Sequence, residues 1–213
     1  MRVRFRKALT VSIGLSILFL IVYGGCNWIT ARRAHVGTFY FEWERAIPFM
    51  PFFILPYMSI DLFYVAAPFL CRNERELSTL AKRIGAAIIV AGICFLIFPL
   101  RFAFERPHTD GWLGAIFDWF RGMDGPYNLL PSLHAGLMLI LADVYFRNTD
   151  GVVRIVIIIW FALIALSPLL TYQHHLIDIV GGFGLACVCF LIFRDRDLSS
   201  LPSRPERNNH APL

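Results

Sequence analysis

Charge is scarce in this chain. Only 16% of its 213 residues are Asp, Glu, Lys or Arg, against 57% hydrophobic. That balance excludes an ordinary soluble domain, because the apolar residues are gathered into long blocks rather than into a one-sided stripe. Zinc-site spacing, a glycine-rich phosphate loop and a basic helix are all missing. The net charge of +5 therefore implies no nucleic-acid partner, since its basic residues sit in short segments beside apolar blocks. The five cysteines (Cys26, Cys71, Cys94, Cys187 and Cys189) are odd in number and mostly lie within or at the ends of those blocks. They read as small hydrophobes, which excludes a disulfide framework or a metal centre. No internal repeat is evident, and no matched pair of interrupted helices marks a transporter.

What is present is a set of six apolar blocks of roughly spanning length, near 8–28, 49–70, 84–104, 129–146, 152–172 and 175–193. In lipid the backbone must satisfy its own hydrogen bonds, so the expectation is an all-α polytopic membrane protein with six transmembrane helices. Arg2, Arg4, Arg6 and Lys7 flank the first block, Arg72, Arg75, Lys82 and Arg83 fill the second connection, and Arg147, Arg154 and Arg194 mark later ends. The positive-inside rule puts these segments and both termini in the cytoplasm, as an even span count requires. A basic start, an apolar run and Gly24-Gly25-Cys26 also resemble a lipoprotein signal; an uncleaved first helix is the reading adopted. Residues 1–197 form one domain, and 198–213 are expected to be disordered. The aromatics Tyr40, Phe41, Trp43, Phe49, Phe52 and Phe53, around Pro48 and Pro51, are expected to form an interfacial belt or short surface helix.

Two stretches carry chemistry. Pro131-Ser132-Leu133-His134 opens the fourth block, and His174-His175-Leu176-Ile177-Asp178 opens the sixth. A charged side chain within a span costs about 2.5–3.5 kcal/mol on insertion scales, so function is the better default explanation. His174 and Asp178 are spaced i, i+4 on one helix face, where the carboxylate can fix one ring nitrogen and leave the other as base or nucleophile. His175 points elsewhere and lacks that carboxylate. Ser132 stands at a helix N-terminus, as cap or anion ligand, with His134 as proton donor beside it. Arg101 and Arg106 leave the third block on the same face and offer planar forks for phosphate oxygens. Together these make a metal-free phosphoryl-transfer kit with no cofactor. Ser-His-Asp acyl transfer is the chemical rival, but there is no G-x-S-x-G elbow and it leaves the arginines idle.

These residues resemble the type 2 phosphatidic acid phosphatase superfamily, which is related to vanadium haloperoxidases. Arg101 with Arg106-Pro107 resembles its first motif, Pro131-Ser132-Leu133-His134 its second, and Ser167-Pro168 followed by His174 and Asp178 its third. The wording is closest to the inositol phosphorylceramide synthase-like and bacterial membrane phosphatase branch. The resemblance implies His174 as the nucleophile forming a phosphohistidine, Asp178 as its orienting carboxylate and His134 as the acid on the leaving oxygen. It implies Arg101, Arg106 and Ser132 as phosphate ligands. Pro168 stands where that pattern has an arginine, so that phosphate ligand is either missing or supplied elsewhere, with Gln173 and Tyr172 as candidates. Glu44, Tyr57, Asp61, Asp124, Tyr127 and Asn128 are candidates for headgroup or acceptor contacts.

The expected activity is hydrolysis of a phosphomonoester or diphosphate lipid at the outer face of a bacterial inner membrane, towards the periplasm. Transfer of a phosphorylated headgroup to a lipid alcohol is the alternative, and a non-catalytic lipid-binding scaffold is the second. The partners implied are the lipid phosphate and the bilayer; the sequence names neither the lipid nor an oligomeric state.

Overall fold

A computed structural model describes Val3 and residues 5–194; the tail expected to be disordered lies outside them. Seven α-helices follow one another: α1 (Phe5–Thr30), α2 (Ile54–Leu70), α3 (Glu74–Ile97), α4 (Gly111–Met123), α5 (Leu133–Asn148), α6 (Gly151–Leu170) and α7 (Leu176–Ile192). No strand forms among the described residues, and Gly37 and Leu100 make one isolated bridge. By length and composition, α1, the stretch Pro51–Leu70, α3 and α6 could each cross a membrane. Helix α7 is a shorter apolar helix, and α5 has 16 residues.

Local chemistry sets the helix ends. Asn73 caps α3, accepting the Glu76 N–H at 2.9 Å. That helix begins ten residues before the apolar block, because the cap and two glutamates in its first turn favour an earlier start. Pro51 opens a 3₁₀ turn (Pro51–Phe53) leading into α2, and Glu42–Ala46 forms another. The aromatic segment is thus two short turns rather than one surface helix.

Helix α4 lies between the third and fourth apolar blocks, where the sequence reading assigned no element. It buries Leu113, Gly114 and Phe117 on one face and exposes Trp112, Trp119 and Met123 on the other, the pattern of an amphipathic helix.

Helix α5 is the centre of the bundle. It is buried on nearly every side, from Leu133 to Tyr145, and packs on α2, α3, α6 and α7. Polar bonds pin its neighbours: Tyr145 Oη donates to Phe63 O at 3.0 Å, Trp160 Nε1 to Ser59 Oγ at 2.9 Å, and Ser12 Oγ to Val65 O at 3.0 Å. Bonds of this type average about 0.6 kcal/mol in membrane proteins. At the far end from Ser132, buried Arg83 reaches Asp143 Oδ2 at 2.9 Å and Phe193 O at 3.0 Å, joining α3, α5 and the end of α7.

The backbones of α5 and α7 approach closely. A Cβ on Gly182 would collide with the Ser132 carbonyl, and one on Gly136 would come within 3.1 Å of Gly182 O. Small residues let two backbones meet in this way. Gly182→Val should therefore lower the thermal midpoint in detergent, with an overpacking cost of about 1–3 kcal/mol. Gly184→Val, which meets nothing within 4 Å, should leave it near wild type.

Candidate active site

The site forms where α5 and α7 begin. Ser132 N–H donates to Asp178 O at 2.8 Å, so the starts of the two helices are bonded backbone to backbone. Ser132 Oγ accepts the Ala135 N–H at 3.2 Å and caps α5. Before α7 the chain reverses through Tyr172 in the left-handed region, φ +56°. Pro168 O then accepts both Gln173 N–H at 2.9 Å and His174 N–H at 3.1 Å, closing the end of α6 and fixing His174 in place.

His174 and Asp178 are both buried, with His174 Nδ1 3.6 Å from Asp178 Oδ2. That is an ion-pair distance, too long for a hydrogen bond. Oδ2 instead accepts the His175 N–H at 2.8 Å, while His174 Nδ1 and Asp178 Oδ1 have no hydrogen-bond partner. The expected carboxylate–imidazole bond is therefore a near contact here. Nε2 lies on the other side of the ring.

His134 stacks on Tyr57 with centroids 4.4 Å apart, and its Nε2 lies 3.4 Å from Ile164 O. Both His134 and His174 line one cavity of about 390 Å³, walled mainly by α1, α2, α4 and α5. Leu20, Trp119 and Met123 also line it and are among the exposed large hydrophobics. The cavity mouth is therefore framed by apolar outer surface.

The other expected residues divide. Tyr57 and Asp61 line the cavity, as does Asp124. Asp124 Oδ1 accepts from Tyr23 Oη at 3.0 Å and Asn27 Nδ2 at 3.2 Å, and burial holds its carboxyl above the usual range. Arg106 does not line the cavity; it lies over the Phe102 ring at 5.6 Å with Nε buried and unpartnered.

Arg101 does not join them; it is exposed, and its N–H pairs with Gly37 O at 2.9 Å. Gln173 Nε2 bonds Thr171 O at 3.2 Å and Tyr172 Oη bonds Ile47 O at 2.7 Å. Both candidate replacements for the missing arginine are thus engaged with backbone carbonyls. Asn128 Nδ2 holds Tyr23 O at 2.8 Å, and Tyr127 packs beside Gly125; neither lines the cavity.

Two residues have roles that the sequence reading did not assign. His175 does have a carboxylate. Its Nδ1 lies 2.9 Å from Glu44 Oε2, its Nε2 accepts the Ala103 N–H at 3.1 Å, and its ring stacks on Phe102 at 4.3 Å. Both nitrogens are occupied, so His175 is a structural clip and Glu44 is its anchor rather than a cavity contact. Arg121, from α4, donates to Pro107 O at 3.3 Å and also keeps a buried Nε without a partner. Its signal was its place on the amphipathic α4.

Glu44→Ala strands the His175 Nδ1–H and should cost about 1.5–3 kcal/mol of stability by thermal or denaturant melting. Glu42→Ala, removing an exposed pair with Arg45, should leave the melt unchanged.

No curated protein and no solved structure matches this chain. A family model described as the PAP2 superfamily matches residues 52–192, a stretch running from the start of α2 to the end of α7 and containing His134, His174 and Asp178. The match covers most of the chain and points to phosphatase-type activity: the chain belongs to the PAP2 superfamily.

Proposed function

We propose that this protein is a membrane-embedded, metal-independent lipid phosphatase working through a phosphohistidine. The observation that carries the reading is that one imidazole from the first turn of α5 and one from the turn just before α7 line one cavity, the second of them beside a carboxylate. His174 Nε2 attacks phosphorus and the ester P–O bond breaks, while His134 gives its proton to the leaving oxygen. Water then attacks the P–N bond, returns a proton to His134 and frees phosphate and His174. Asp178 stabilises the imidazolium that forms on His174.

The apolar mouth favours a lipid substrate, because a headgroup can enter with its chains still in an oily environment. In this reading α1 to α3 and α5 to α7 span the membrane, both termini face the cytoplasm, and the site opens to the periplasm of a bacterial inner membrane. Transfer to a lipid alcohol shares the first half-reaction.

Arg121 takes the part of the arginine absent at Pro168. Burial lowers the proton affinity of Arg106, and among its charged neighbours Arg121 pushes the same way. Two neighbouring guanidiniums, each with a buried free Nε, suit an anion that neither has in a side-chain ion pair.

Purified protein should release phosphate from a lipid phosphate in detergent, and His174→Ala or His134→Ala should each abolish release. Turnover near wild type in either would overturn the assignment. Vanadate should inhibit and a chelator should not. Arg121→Ala should raise KM for the lipid phosphate and the vanadate inhibition constant about 10- to 100-fold, from loss of about 1.5–3 kcal/mol in charged hydrogen bonding. An unchanged KM would remove Arg121 from the phosphate site.

A further inference from the structure

Helix α2 directs a polar stripe at the cavity. Tyr57, Asp61 and Tyr64 are spaced i, i+4 and i+7, and all three line it. Tyr57 stacks on His134, so the stripe begins at the chemical end and runs away from it. Asp61 lies seven residues inside α2, roughly 10 Å along its axis. It is exposed like its neighbour Leu62 on an apolar helix, and no salt bridge or hydrogen bond accounts for it among the described residues. Tyr64 is 9% exposed, and its hydroxyl is buried without a partner.

This wall is rich in acceptors. Asp61 accepts only, and Tyr64 Oη can accept or donate. The other end has the two histidines, so the cavity has two chemically different ends. A lipid phosphate bearing no other polar hydrogens would satisfy one end and strand the other.

We propose that Asp61 and Tyr64 form a second binding subsite that holds a hydrogen-bond-donating group, hydroxyl or ammonium, of an amphiphile lying beneath the phosphate. Phe19, Leu20 and Leu137 line the same space and accommodate its chain. The inference deepens the phosphatase reading and rests on it for the identity of the other end. The group held belongs to the substrate lipid or to an alcohol that accepts the phosphoryl group.

The test is binding to the full chain in detergent, followed by Trp119 fluorescence, with Trp119→Phe as the blank. The probes are a short-chain diacylglycerol with its free hydroxyl, the methyl ether of that molecule, and the corresponding primary amine. The alcohol should bind at least tenfold more tightly than the ether, and Asp61→Leu should abolish the difference. Asp61→Asn should keep alcohol binding and lose any extra affinity for the amine. An amine preference over the alcohol in wild type identifies ammonium as the group held; equal or weaker binding identifies hydroxyl.

Ether and alcohol binding alike, or an Asp61→Leu protein with its preference intact, would overturn the proposal. Asp61→Leu removes a carboxylate from an apolar helix, so its thermal midpoint should not fall and lost preference is not misfolding. The probes are also measured in His174→Ala. Selectivity retained there while that variant still turns over would sink the phosphatase reading alone; abolished turnover without selectivity would sink the subsite alone.

Discussion

The bond from Ser132 N–H to Asp178 O, 2.8 Å long, is the contact on which the site depends. It joins the first turns of two helices separated by some forty residues of sequence, and it forms only because Gly182 and Gly136 let the backbones meet. Any side chain larger than hydrogen at Gly182 pushes α5 away from α7. His134 and His174 then no longer share a wall. The packing of two glycines and the chemistry of two imidazoles are one constraint seen at different levels.

Around that junction the residues serve two separate ends. His174 and Asp178 are left incompletely bonded, an arrangement that costs stability and that structures maintain where chemistry uses it. His175, the next residue, is saturated by Glu44 and Ala103 and stacked on Phe102. Adjacent histidines thus differ in kind. One is held in a pocket with a free nitrogen, and the other fastens the first and third connections to the start of α7. The fastening fixes where Arg106 leaves Phe102, and so bears on the cavity at one remove.

The motif residues were legible because their signals are local. An i, i+4 His–Asp pair, a Pro-Ser helix start and their place at the ends of apolar blocks need no tertiary knowledge. The helix ends were less so: apolar composition marks where lipid can be met, whereas Asn73 and Glu76 decide where hydrogen bonding begins. Helix α4 was obscured because Asp118, Arg121 and Asp124 suggest a polar loop, although Leu113, Phe117 and Phe120 carry helical spacing. The Glu44–His175 pair could not be read at all, since its members lie 131 positions apart and only the folded chain brings them together. Arg101 failed for a related reason. Proximity in sequence to Arg106 says nothing about direction once the chain has left its helix.

Helices α5 and α7 have 16 and 17 residues, about 24 and 26 Å end to end. A hydrocarbon core measures about 30 Å. In the proposed six-span arrangement these two helices fall short of it, while α1, at 26 residues, exceeds it. Their starting ends are then sunk beneath the plane of the lipid headgroups, or the bilayer thins locally to meet them. A phosphate at normal depth must drop several ångströms to reach the histidines, so the thickness of the host membrane becomes a variable that sets how readily the substrate is engaged.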